Sequence, residues 1–216
     1  MQEYHKIQSV FKRDEKTHNF ILGEYSLPEF EYLQDNLWVW TEKIDGTNVR
    51  VGWDGVNLEF GGRTANAQMP IVLLKRLQEI FTSEKLATVF PDIEGQIVLY
   101  GEGYGARIQK GGGNYIPDGV DFILFDVKVG GWWLKREGIE EIAESLGVKA
   151  VPIIFAVTIH SALKYMTNGV GIKSEFGNFQ AEGLVGKPAV DLFTRSGKRI
   201  VTKMKHKDFL SCQEGK

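Results

Sequence analysis

Short apolar runs broken by glycine and turn residues recur along the whole chain, and that rhythm is what most limits its fold. Runs at 38–42, 48–53, 57–60, 96–100, 122–129, 150–157, 183–187 and 199–203 hold the β-branched and aromatic residues that suit a pleated surface. Asp54-Gly55 falls between two of them and reads as a hairpin turn. Helical spacing is rarer. Ile71, Leu74, Leu77 and Ile80 predict a helix from Pro70 to about Thr82, with Pro70 in its first turn. Ile139, Ile142, Ala143 and Leu146 predict a second helix over 135–146, ended by Gly147, and a shorter third is expected over 161–167. Strands and helices do not alternate strictly, so the expected class is α+β around antiparallel sheet. The 216 residues suit one domain over 1–216, with no internal repeat or linker.

Composition narrows the function classes. No apolar run reaches the ~20 residues that cross a bilayer, and the N-terminus lacks the apolar stretch of a signal peptide, so no membrane role is expected. One cysteine, Cys212, excludes an internal disulfide and a cysteine-rich zinc site, which fits a reducing cytoplasm. His5, His18, His160 and His206 have no metal-ligand spacing. A net charge of -2 argues against coating nucleic acid by charge alone. Locally the balance differs. After Leu192, Arg195, Lys198, Arg199, Lys203, Lys205, Lys207 and Lys216 meet only Asp208 and Glu214. On a strand, Lys203, Lys205 and Lys207 would share one face and call for an anion.

One run concentrates the chemistry. In Trp40-Thr41-Glu42-Lys43-Ile44-Asp45-Gly46-Thr47-Asn48 an apolar strand leads into a lysine and then a glycine turn. A free lysine is neutral in only about one molecule in 2,500 at pH 7. Apolar surroundings from Trp38 and Trp40, with cations from Lys203, Lys205 or a metal ion, would free its lone pair for attack. Gly61-Gly62-Arg63 places a phosphate-clamping fork on a glycine turn. Glu102 lies among glycines in Gly101-Glu102-Gly103, where a ribose hydroxyl is a plausible partner, and Phe125-Asp126 interrupts a buried strand, with Phe125 able to stack on a base. Glu182 precedes Gly183 at the start of another strand and should meet a cation, either lysine or Mg²⁺. Gly101-x-Gly103-x-x-Ala106 formally matches a dinucleotide fingerprint, but no helix pattern follows it.

Taken in order, these elements resemble the covalent nucleotidyltransferases, the polynucleotide ligases and RNA capping enzymes. Lys43-Ile44-Asp45-Gly46, Arg63, Phe125-Asp126, Glu182-Gly183 and Lys203-Met204-Lys205 match the family's successive motifs over roughly residues 37–209. Asn48, five residues after the lysine, is similar to the RNA ligase 2 type of phages and kinetoplastid editing, where DNA ligases usually carry arginine. Asp45 departs from the histidine frequent in that type.

The resemblance implies an ATP-grasp-like nucleotidyltransferase (adenylation) domain, with antiparallel sheets flanked by helices. Larger relatives continue into an OB-fold or helical C-terminal domain, and with only eleven residues after Lys205 none is expected here. It implies ATP, a lysyl-AMP adduct on Lys43, and Mg²⁺, with Mn²⁺ as an alternative. Glu42 and Phe125 would contact adenine and Glu102 ribose. Lys203 and Lys205 would hold the α-phosphate, Arg63 and Asn48 would position phosphate and nucleic acid, and Glu182 and Asp126 would organise the metal. The expected substrate is RNA ends, in a nicked duplex or as single strands, joined by a monomer or with a partner's help. A DNA ligase, a capping-type guanylyltransferase and a non-catalytic nucleic-acid-binding module are the alternatives.

Overall fold

The computed structural model describes residues 1–64, 66–92, 95–168 and 171–210; Cys212, Glu214 and Lys216 lie outside the described residues. In chain order the strands are β1 (Gln8–Ser9), β2 (Phe11–Arg13), β3 (Phe20–Tyr25), β4 (Trp38–Lys43), β5 (Thr47–Trp53), β6 (Leu58–Gly61), β7 (Ile97–Gly105), β8 (Val120–Val129), β9 (Trp132–Trp133), β10 (Lys149–Ala150), β11 (Ile153–Val157), β12 (Gly183–Pro188) and β13 (Thr202–Lys205). The helices are α1 (Pro28–Tyr32), α2 (Ile71–Ile80), α3 (Ser83–Val89), α4 (Arg136–Leu146), α5 (Ile159–Thr167) and α6 (His206–Leu210). They form an α+β fold whose sheets are mainly antiparallel. Two compact units share them. The first holds Met1–Tyr4 and Asp45–Val151, the second His5–Ile44 and Pro152–Lys216.

In the first unit the strand order is β10-β8-β7-β5-β6, with β9 added to β8. Val49, Val51, Leu99, Phe122, Leu124 and Val127 face Leu73, Leu77, Ile139 and Leu146 in one buried cluster, because alternate strand residues share a face and meet the apolar stripes of α2 and α4. Gly147 closes α4 in the left-handed conformation, φ 64°, as its position in the sequence predicts. The strand expected at 96–100 runs on through Gly101-Glu102-Gly103 to Gly105. Glycine is a poor strand residue on its own, yet here it lets neighbours in. A Cβ on Gly101 would stand 2.1 Å from the Phe122 ring, and one on Gly103 would stand 2.4 Å from Leu73. The single helix expected over 70–82 is two. α2 stops at Ile80, and Thr82 accepts from the Lys85 backbone N–H to start α3.

The second unit has its own sheet, β1-β13-β12-β4-β11, and a small β2-β3 pair. Trp38, Trp40, Leu184 and Met204 pack with Phe30, Ile159, Ala162 and Met166 from α1 and α5. Gly186 is bare beneath the Trp40 ring, where a Cβ would approach to 2.4 Å. The run at 150–157, expected as one strand, is broken. Lys149 and Ala150 pair with β8, whereas residues from Ile153 onward pair with β4, and Pro152 lies in the break. Proline lacks the N–H that an unbroken ladder would need there. Lys207 also departs from expectation. The strand ends at Lys205, and α6 carries Lys207 away from the row of Lys203 and Lys205. Phe209 anchors that turn of helix against Phe20, 5.3 Å between ring centres, and Asp208 takes Arg13 at 2.6 Å.

Candidate active site

Lys43 is the last residue of β4, where the strand gives way to the Asp45-Gly46 turn. Its neighbours follow from register. Lys43, Gly183 and Lys205 are level across β4, β12 and β13, and Thr41, Val185 and Lys203 form the next row. Lys187 is opposite Val39, one row further along β12. These positions share one sheet face, since strand side chains alternate. Lys43, Lys187, Lys203 and Lys205 are all half-buried there. Gly183 permits the close pairing, because a Cβ on it would meet the Met204 carbonyl at 1.9 Å.

Glu182 closes the end of this face. Its carboxylate accepts from Lys43 Nζ at 2.6 Å and from Lys205 Nζ at 2.7 Å. Burial pushes the Glu182 carboxyl up, but the Lys43 and Lys205 ammonium groups together outweigh it and hold the group below the usual carboxylate range. Two of the cations that Glu182 meets are therefore lysines.

The other face of β4 corrects one expectation and redirects another. Trp38 and Trp40 alternate away from Lys43 into the core and do not surround its amine. Glu42 goes with them. It is buried at 1% exposure, taking the Ser174 hydroxyl at 2.6 Å on one oxygen and the Glu175 backbone N–H at 2.9 Å on the other. Burial pushes its carboxyl up, and the two donors only partly offset that. The carboxylate secures the Ser174-Glu175 segment instead of sharing the face of Lys43.

The first unit carries the remaining motif residues on the sheet face opposite α2 and α4. Asn48 on β5 is level with Glu102 on β7, and Arg50 is level with Tyr100 and then Asp126 on β8. Between Asp126 and Leu124 the β7–β8 register slips by one residue, so Phe125 is an unpaired bulge residue. A bulge re-aims side chains. Leu124 and Val127 face the helices, and the tyrosine at position 4 touches both Phe125 and Asp126. Asn48 Oδ1 is buried with no hydrogen-bond partner among the described residues, an acceptor left for something else. Arg63 follows β6 and is exposed. The turn after Lys43 is gripped by the glycine-rich segment that follows β7. Gln109 donates to the Gly46 carbonyl, and the Asp45 N–H donates to the Tyr115 hydroxyl, both at 3.3 Å.

Asp126 does not suit the metal role expected of it. It is fully buried and accepts from the Tyr4 hydroxyl, a setting closed to a hydrated cation. Among the described residues no three His, Cys, Asp or Glu side chains gather into a metal cage. The donors fit a Mg²⁺ carried chiefly by nucleotide phosphates, with Glu182 a carboxylate at the end of the lysine-lined face, which is how that ion is usually held.

Three groups escaped the sequence reading. Lys187 had a signal, the two-residue period Gly183-Val185-Lys187. Tyr4 and Tyr115 had none, as each reaches its partner across many residues of chain.

Residues 36–205 match the family model described as RNA ligase. No curated protein matches the sequence. Among solved structures, the RNA ligase of Naegleria gruberi is similar in several states. With PPi it superposes at TM-score 0.65 with 22% identity, covering 99% of this chain and 64% of the other. A point mutant with ATP and Mn gives TM-score 0.65 and 21% identity, covering 98% and 63%. An apo point mutant gives TM-score 0.64 and 22% identity, covering 88% and 55%. The chain thus spans less than two thirds of the length of these structures.

Proposed function

The chain belongs to the RNA ligase family, and from that premise we propose that it joins RNA 5′-phosphate and 3′-hydroxyl ends with ATP through an adenylated Lys43. One observation carries the reading: a single carboxylate, Glu182, holds both Lys43 and Lys205 at the end of a lysine-lined sheet face. Lysines at two strand rows suit a polyphosphate, and one of them stands at a turn where a nucleotide can come close to the backbone.

In the first step Lys43 Nζ, having shed a proton, attacks the α-phosphorus of ATP. A P–N bond forms, the bond between the α-phosphorus and the bridging oxygen breaks, and pyrophosphate leaves. Glu182 is a weak base because two ammonium groups keep it ionised, so its part is to aim Lys43 and to balance charge. Lys203 and Lys205 neutralise the α-phosphate as charge builds there. When bound with the nucleotide, Mg²⁺, for which Mn²⁺ can substitute, supplies further neutralisation of the phosphates. AMP then passes to the 5′-phosphate, and the 3′-hydroxyl displaces it. Phe125 offers a face for the base, Glu102 an acceptor for ribose, and Asn48 and Arg63 donors for phosphate and the bound strand. The Ser174–Glu42 pair supports the strand that carries the nucleophile.

The deciding experiment is incubation with α-labelled ATP and Mg²⁺, followed by denaturation. Label is expected on the wild type and none on Lys43→Ala. Label from GTP alone would point to a capping-type guanylyltransferase, and no label at all to a binding module. Sealing of matched RNA, DNA and hybrid nicks, beside single-stranded ends, then separates RNA from DNA ligase. Success on DNA with failure at every RNA 3′-hydroxyl would overturn the substrate assignment.

A further inference from the structure

Tyr4 has no place in the motifs, yet it touches both residues of one of them, Phe125 and Asp126. Its hydroxyl donates to the Asp126 carboxylate, and its ring meets Phe125 edge-on, 5.1 Å between centres at 76°. Behind it stand Tyr100 at 5.0 Å and Trp133 at 5.8 Å, so the ring is fixed on its far side as well. Tyr100 donates to the Gln2 carbonyl at 3.2 Å, and burial pushes its phenol up to about 12, so it stays a neutral donor. Lys128 covers the Trp133 ring at 5.5 Å. Tyr4 itself is 8% exposed and Asp126 not at all.

The bulge gives this packing a purpose. Phe125 has no cross-strand partner, so the ladder does not set where its ring points. A half-buried phenylalanine on an unpaired residue would sample several rotamers unless something stops it. Tyr4 does so from two sides: the ring bounds Phe125, and the hydroxyl pins the next residue through Asp126.

We infer that Tyr4 is a positioning residue that holds the Phe125 ring as a platform for the nucleotide base. This rests on the reading above that Phe125 stacks on the base, so the test must let the two fail separately. Binding of ATP is measured by titration without divalent metal, where no adduct forms, for wild type, Tyr4→Leu, Phe125→Leu and the double variant. Urea unfolding midpoints report the fold of each.

Tyr4→Leu is expected to weaken ATP binding about fivefold, within the range of an edge-to-face aromatic pair. Phe125→Leu should weaken it at least as much, and the double variant no further than Phe125→Leu alone, because Tyr4 acts through Phe125. Losses that add would overturn the inference, since a purely structural tyrosine gives additive effects. Phe125→Leu weaker with Tyr4→Leu unchanged overturns it and leaves the base platform standing. Phe125→Leu unchanged, or no ATP binding by the wild type, removes the platform and the inference with it. If Tyr4→Leu does not fold, Tyr4→Phe decides: losing the hydroxyl alone should cost about threefold in binding, and no change would overturn the role.

Discussion

The two units present their functional residues by different physics. In the second, charge does the arranging: Lys43, Lys203, Lys205 and Lys187 share a sheet face, and one carboxylate ties two of them together. In the first, packing does it. Phe125 projects from a bulge, Asp126 is buried under Tyr4, and Asn48 and Glu102 are set level by strand register. Charges act over distance and tolerate small displacements, whereas a stacking face must be held by contact. The comparison therefore predicts that the two faces break differently.

The largest effect is expected from the charge side. Glu182→Gln keeps the shape but removes the charge that faces two ammonium groups. Truncating one member of a partly buried charge pair costs about 2–3 kcal/mol. We expect adduct formation to slow by about 100-fold, with ATP binding changed far less. An equal loss in binding and rate would mean that Glu182 serves the nucleotide and not Lys43. Acid gives an independent reading. The Glu182 carboxyl lies below its ordinary value in the fold, so its contribution to stability is present above the unfolded value of 4.5 and is lost as pH falls through the folded value. Urea midpoints below pH 4.5 should fall less for Glu182→Gln than for wild type. A parallel fall in both proteins would show that other carboxylates set the acid limit.

On the packing side the sharpest break is Gly101→Ala. The added methyl would stand 2.1 Å from the Phe122 ring and 2.4 Å from the Ile123 carbonyl, and the backbone oxygen cannot swing away. Overpacking of this kind costs about 1–3 kcal/mol, read as a lower urea midpoint. Gly113→Ala is the matched control, since nothing lies within 4 Å of its would-be Cβ, and it should stay within about 0.5 kcal/mol of wild type. If both variants lose stability alike, close approach at Gly101 is not what its glycine supports.

The same division explains what could be read from the chain. The charged face was legible because it is local and periodic: a lysine before a glycine turn, an acid before a strand, and two lysines at a spacing of two. The helix over 136–146 was legible for the same reason, as its stripe and closing glycine lie within a dozen residues. Where tertiary partners decide, the sequence was silent or misleading. An uninterrupted apolar run at 150–157 hides a proline at which pairing passes from β8 to β4. Trp38 and Trp40 precede Lys43 closely, yet alternation sends them to the far face. Tyr4 reaches Asp126 across 122 residues, and no spacing rule encodes such a contact.

Lys187 offers the finest discrimination and the smallest effect. Four residues of strand separate the Lys43 row from the Lys187 row, about 13 Å at ~3.3 Å per residue. If a triphosphate runs along β12 from an α-phosphate beside Lys43, Lys187 lies nearer its departing end than the reacting atom. Its charge should favour the pyrophosphate as it leaves and matter little once AMP is in place. Lys187→Ala is expected to slow adduct formation from ATP about fivefold, an amount typical of one partly solvated charge contact. Sealing of RNA supplied already adenylated should be unchanged, because no pyrophosphate leaves in that step. Equal losses in both assays would place Lys187 on the nucleic acid, and the lysine-lined face would then extend past the nucleotide along β12.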